Sequence, residues 1–296
     1  MTKFIVGAYA SQPADHEGQR KYYERLHASG WVDGLEVPFP GQWETVFGFL
    51  GEMLAGRFTH SVLTPIPGTM VTMWKNPSFG LASSDKDGRS RALDYLSSIR
   101  ENLEKMTAQH GHIFDYVELH SAPNTDCQAE YFAQSITEIS SWDWSGAQLT
   151  IEHCDEKTTE HTPEKGFLHL EDELAIAKKT GVAVSLNWGR SAVGSRGDQA
   201  PNEHIKQAAA SGLLAGVIFS GASPQETIYG PEWIDGHLPL STDEPASLMT
   251  PQQVSEGARL AGDVAYLGAK CCVPKDASIE RRYEMIHAIY QAAMEK

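Results

Sequence analysis

The sequence predicts an α/β chain folded as a single (β/α)8 TIM barrel over residues 1–296. Three observations predict it. Short apolar stretches alternate with longer segments of helical spacing, and the alternation closes at eight. The 296 residues, 41% of them apolar, suffice for eight such units around one sizeable core. The turn after the first apolar stretch reads AYASQPADHEG, without the Gly-rich phosphate loop of an open doubly wound sheet, the competing architecture.

The strand candidates run in order along the chain. Phe4–Tyr9 comes first, then Trp31–Phe39 and His60–Thr64. Asp115–Ala122, Ala147–Cys154 and Val182–Trp188 follow, and Leu214–Ser220 and Val264–Cys271 complete the eight. Helical spacing marks Arg91–Gln109, Gly166–Lys179 and Ile279–Met294 between and after them. A helix-length segment after each strand requires parallel strands and right-handed crossovers. Two connections are longer than a barrel needs, Pro65 to Asp87 and Ala222 to Thr250. Both leave the carboxyl ends of strands, so both are expected over the mouth as long loops, as lids or substrate walls or as plain surface. Trp74 lies in the first; Tyr229, Trp233 and His237 lie in the second.

Charge narrows the partners. The chain carries 24 basic and 39 acidic residues, a formal net charge of −15. Such a field repels phosphate backbones, so no nucleic acid and no membrane is expected as a partner. Cys127, Cys154, Cys271 and Cys272 show no CxxC spacing, which argues against a disulfide framework or zinc ribbon and for a reducing, cytoplasmic setting. The amino-terminal apolar run is too short for a signal peptide and reads as the first strand. No apolar stretch approaches the roughly 18 residues of a membrane span.

Strand alternation sorts the residues at the strand ends. With Val117 and Leu119 facing the helices, Tyr116, Glu118 and His120 face the barrel axis. With Leu149 and Ile151 outward, Thr150, Glu152 and Cys154 point in. The same parity turns Glu36, Ser185, Asn187, Ser220 and Lys270 inward. Three glutamates, a histidine, a lysine and an asparagine therefore converge near one end. Burying them unpartnered would cost several kcal/mol each, so they satisfy one another, a ligand or a metal. They form either a polar plug or a site. Four features are set aside. His110 and His112 precede the fourth strand, at the opposite face, and Glu171-Asp172-Glu173 reads as a solvated helix face. His161 and His169 lack a partner at metal spacing, and Cys154 reads as a small buried residue.

The segments LEVPF (35–39), VELHSAP (117–123), IEHCDE (151–156) and SLNWG (185–189) resemble the xylose-isomerase-like barrel superfamily, in an uncharacterised bacterial branch. That group holds sugar isomerases, ketose 3-epimerases, inosose dehydratases and the endonuclease-four type of DNA repair enzyme. The resemblance implies a divalent metal, Mn or Mg, held by a Glu on strand five, an acid on six, a His on seven and a Glu on eight. Glu152 matches the first position, but Asn187, Ser220 and Lys270 stand at the other three. The usual ligand set is thus incomplete, with Lys270 as an electrostatic substitute for the metal and His153, His120 or Glu118 as alternative ligands beside Glu152.

The leading expectation is a sugar or sugar-acid isomerase or epimerase working through an enediol. Glu152 is the candidate base, Glu118 or Glu36 the second carboxylate, and His120 and Lys270 the electrophiles. Arg190, and Arg196 beyond it in the GRSAVGSRG loop, are candidates for holding a substrate carboxylate or phosphate. Asn187, Trp188, Ser220, Trp233 and His237 complete the substrate-binding set. The alternatives are a Schiff-base lyase or aldolase with Lys270 as nucleophile and a non-catalytic sugar-binding barrel. A glycosidase would need a second carboxylate about 5 Å away, commonly from strand seven, which ends in Ser220-Gly221. A homodimer is plausible on the same resemblance.

Overall fold

A computed structural model describes residues 1–39, 43–124 and 126–295. Eight strands are ordered β1 to β8 in a closed barrel, the (β/α)8 fold. The strands are β1 (Lys3–Val6), β2 (Gly34–Pro38), β3 (Ser61–Thr64), β4 (Phe114–Leu119), β5 (Gln148–His153), β6 (Ala183–Asn187), β7 (Leu214–Phe219) and β8 (Tyr266–Ala269). The chain forms two compact units, Met1–Glu36 with Ser185–Lys296, and Val37–Val184. They are called unit 1 and unit 2.

Unit 1 carries α1 (Ala8–Ser11) and α2 (His16–Ala28); α3 (Trp43–Leu54), α4 (Ile66–Lys75), α5 (Lys86–His110), α6 (Ala129–Ile139) and α7 (Leu170–Thr180) belong to unit 2. Unit 1 resumes with α8 (Trp188–Ser195), α9 (Ala200–Ala210), α10 (Pro251–Ala261) and α11 (Ile279–Met294). In unit 1, β1 pairs in parallel with β2 and β8, and β7 with β8, so their carboxyl ends point one way. In unit 2, β3–β4 and β4–β5 are likewise parallel, with Glu118 opposite Thr150 and Leu119 opposite Ile151.

The helix boundaries follow local chemistry. Asp15 accepts from Gly18 N at the head of α2, and Thr250, followed by Pro251, accepts from Gln253 N at the head of α10. Ser278 caps α11, whose observed span equals the predicted one. Three acids in the first turn of α7 and Lys178 and Lys179 in its last complement the helix dipole, and Gly181, at φ 76°, ends it in the left-handed region.

The structure corrects several expectations. Pro65 to Asp87 is not a long loop: α4 fills its first half, starting beside Pro65 and Pro67, which suit a first helical turn. The GRSAVGSRG segment is mostly α8, because Asn187 accepts from Gly189 N and Arg190 N and so nucleates a helix directly at the strand end. Tyr9 lies in α1 and not in the first strand. Seven of the eight strands end one to three residues earlier than the apolar runs suggest, and β3 ends at Thr64 as the run does. The 222–250 segment holds no helix or strand, and Gly221 is bridged to Leu238. All four cysteines are free thiols. No helix among the described residues is long and apolar enough to cross a membrane.

Candidate functional site

In unit 2 the polar residues gather at the carboxyl ends of β4 and β5. Extending the β4–β5 register by one residue sets His120 opposite Glu152, and their side chains meet: His120 Nε2 donates to Glu152 Oε2 at 2.6 Å. Both are almost wholly buried, as is Glu118 two residues before His120 on the same face. A charge-assisted hydrogen bond of that length in a dry setting is strong and fixes both groups. Cys154, two residues beyond Glu152, packs in an apolar cluster with Ile66, Met70, Met73, Ala122 and Phe167.

On the opposite face of the same strand ends lies a second network. His153 Nδ1 donates to Glu173 Oε2 at 2.7 Å, and Ser121 Oγ donates to Glu173 Oε1 at 2.6 Å. Glu173 reaches in from α7 and is completely buried, so the acidic run at the head of that helix is solvated at Glu171 but not at Glu173. Burial lowers the His153 pKa, but the charge and hydrogen bond of Glu173, with Glu156 and Asp155 nearby, outweigh it and leave the imidazole above its ordinary value. Glu156 accepts from His169 Nδ1 and from Leu170 N, giving His169 a structural partner at the start of α7. Asp155 accepts from Lys165 N and Gly166 N. His112, ahead of β4, pairs with Asp115.

In unit 1 two ion pairs hold the strand ends. Lys270 Nζ donates to Glu36 Oε1 at 2.8 Å and to Tyr9 Oη at 3.2 Å, with both members of the ion pair fully buried. The lysine stem crosses Gly7 so closely that a Cβ there would stand 2.7 Å from three of its carbons; glycine makes room for the pair. Burial, then the Glu36 charge, push the Tyr9 phenol above its ordinary range. Arg190 Nε donates to Asp235 Oδ2 at 2.9 Å, and His237 Nδ1 lies 3.1 Å from Asp235 Oδ1 and 3.0 Å from Ser220 Oγ. Burial lowers the His237 pKa, with Lys270 and Arg190 adding to it against Asp235. Gly189 lies against the Ser220 backbone, where a Cβ would meet the carbonyl oxygen at 2.5 Å, and this seats the head of α8 on the end of β7.

Two expected substrate contacts are placed differently. Trp188 is wholly buried, and its indole N–H donates to Asn202 of α9, which makes it a packing residue of the α8–α9 pair. Trp233 sits at φ 55° in the irregular segment, with the Arg196 guanidinium 5.6 Å from its ring centroid. Sequence reasoning missed Tyr9, Asp235 and Glu173. Tyr9 was hidden by the strand-like run before it, and Asp235 by an irregular segment with no period to read. Glu173 alone had a legible signal: it occupies the Leu170, Ile176, Ala177 stripe that α7 buries.

Three of the four ligand positions that the resemblance implies for Mn or Mg hold other groups. Asn187 turns its only ligating oxygen to the head of α8, Ser220 is bonded to His237, and Lys270 is a buried cation held by Glu36.

The family described as "Domain of unknown function (DUF4862)" matches residues 5–285, and the chain belongs to it. A Salmonella typhimurium protein named "Uncharacterized protein STM3670" is 34% identical over 268 residues, covering 86% of this chain and 84% of its own. Among solved structures, a xylose isomerase domain containing protein of Salmonella typhimurium superposes with a TM-score of 0.62 at 11% identity, over 99% of this chain and 98% of that one. A D-psicose 3-epimerase of Clostridium cellulolyticum H10, solved with D-tagatose, gives 0.55 at 13% identity, over 99% and 96%. Likeness at this identity shows the fold alone, the closed (β/α)8 barrel.

Proposed function

We propose that this member of the DUF4862 family is a sugar or sugar-acid isomerase or epimerase that moves a proton through an enediol. The observation that carries the reading is the buried His120–Glu152 pair, joined at 2.6 Å at the ends of neighbouring strands. Enediol chemistry needs a base at a carbon-bound hydrogen and a proton donor at the adjacent carbonyl oxygen. The Glu152 carboxylate takes the proton from carbon, and the His120 N–H gives one to the carbonyl oxygen. The neutral enediol then collapses with the two transfers reversed at the neighbouring carbon, which is isomerisation; epimerisation needs a second acid on the opposite face. Glu118 is the second carboxylate beside them. The named epimerase among the structural neighbours acts on a ketose, which supports a sugar as the substrate class.

The lyase reading of Lys270 is weaker. A Schiff-base lysine must be a free amine, and the Glu36 carboxylate at 2.8 Å favours the ammonium. Deuterium exchange tests the main reading. Proton NMR in D2O across aldoses, ketoses, uronates and sugar phosphates should show deuterium entering one carbon of one sugar. A keto sugar trapped on Lys270 by borohydride, with no exchange, would favour the lyase. Tight sugar binding with neither reaction would mark a non-catalytic barrel.

A further inference from the structure

We infer that Glu173, on the helix side of β5, is a positioning residue for the His120–Glu152 pair. Its catalytic consequence rests on the enediol reading of that pair. The regular β4–β5 pairing runs to Leu119 opposite Ile151, and the residues that matter come just after it. There the two chains are fastened by side chains on both faces. On one face His120 meets Glu152; on the other, Ser121 and His153, each the next residue along, are both held by Glu173. The backbone N–H of Leu168 donates to Ser121 Oγ at 3.2 Å, tying the lead-in of α7 to the same clamp.

The position asks for an explanation, because packing alone does not supply one. The buried stripe of α7 is Leu170, Glu173, Ile176 and Ala177, and an apolar residue at 173 would fill it without desolvating a charge. A carboxylate there offers two acceptor oxygens, and each receives a donor from a different strand end. The bridge fixes the separation and pitch of the two ends at the residues adjoining the reacting pair. A misplacement of about 1 Å at such a pair costs on the order of 100-fold in rate. Glu173 does not touch the His120–Glu152 hydrogen bond; it holds the backbone from which both side chains spring.

The test compares Glu173→Gln and Ser121→Ala with wild type, using Glu171→Gln, an exposed neighbour on the same helix, as control. Each protein is assayed for substrate deuterium exchange and its pH profile, for melting, and for the imidazole 15N resonances of His120 and His153. Glu173→Gln, still folded, should lower kcat about 10- to 100-fold with little change in KM, move the pH profile and shift the His120 resonances. Ser121→Ala should do the same more weakly, and Glu171→Gln should do neither. Should Glu173→Gln fail to fold, Ser121→Ala carries the same decision. Folded variants with wild-type rates and unchanged His120 resonances would overturn the inference. If wild type exchanges no sugar, the enediol reading falls by itself. The His120 resonances then decide the clamp: a shift on losing Glu173 supports it, and no shift overturns it.

Discussion

Removing the Lys270 ammonium should be among the most costly single changes in unit 1. Its Nζ lies 2.8 Å from Glu36 Oε1, and neither side chain is exposed. At an effective dielectric of about 20, unit charges at that separation attract by roughly 6 kcal/mol, and the desolvation of both ions offsets most of this. The net value of the pair is therefore small, but the cost of breaking it is not. Lys270→Met strands the Glu36 carboxylate, whose Oε2 already has no hydrogen-bond partner among the described residues. The expected loss is about 3–5 kcal/mol. Glu36→Gln should cost a similar amount, whereas Glu36→Gln with Lys270→Met should cost much less than the two together. Urea denaturation of the four proteins measures this directly. Additive single losses, or a Lys270→Met loss below about 1 kcal/mol, would refute the pair as a coupled unit.

Three further expectations follow from named contacts. Gly7→Ala puts a Cβ 2.7 Å from the Lys270 stem and should cost about 1–3 kcal/mol by denaturant melting, relieved only in part in a Lys270→Ala background, which keeps the Cβ contact. Asn187→Ala removes the acceptor for Gly189 N and Arg190 N and should cost about 0.5–2 kcal/mol, with α8 amides exchanging hydrogen faster. The His153 pKa is raised in the fold above its unfolded value of about 6.5, chiefly against burial by Glu173, with Glu156 and Asp155 also facing it. The stabilisation it brings is then complete below about pH 6.5 and is lost as pH rises through the raised folded value. The stability gap between wild type and Glu173→Gln should accordingly narrow toward alkaline pH, and a gap that widens would contradict it.

The barrel was legible because eight apolar runs separated by helix-length segments admit few arrangements, and parity then sorted their faces. That parity placed Glu118 and Glu152 among the buried groups and set His120 beside Glu152, where the structure joins them. Lys270 and Glu36 were both expected on the axis side, and they bond each other. Legibility stopped where a side chain's partner comes from a distant part of the chain. Asn187 was read as a substrate contact because nothing local distinguishes a polar strand-end residue from a helix cap before the helix is seen. Trp188 carries the opposite lesson: beside a polar residue at a strand end it looks available, yet its partner, Asn202, lies on the next helix. Asp235 and Tyr9 were invisible because irregular or very short elements carry no period. Glu173 was misread because three acids in a row look solvated, although only its place in the apolar stripe decides its burial.

In the proposed reaction Glu152 moves a carbon-bound proton of a sugar without the Mn or Mg set that the resemblance implies. Proton NMR in D2O with wild type and Glu152→Gln, each in EDTA and again with added Mn2+, tests it most directly. Deuterium should enter one carbon of one sugar with wild type in EDTA, and none should enter with a folded Glu152→Gln. Exchange that persists in Glu152→Gln would contradict the assignment of the base, and wild-type exchange only with Mn2+ would contradict the metal-free reading.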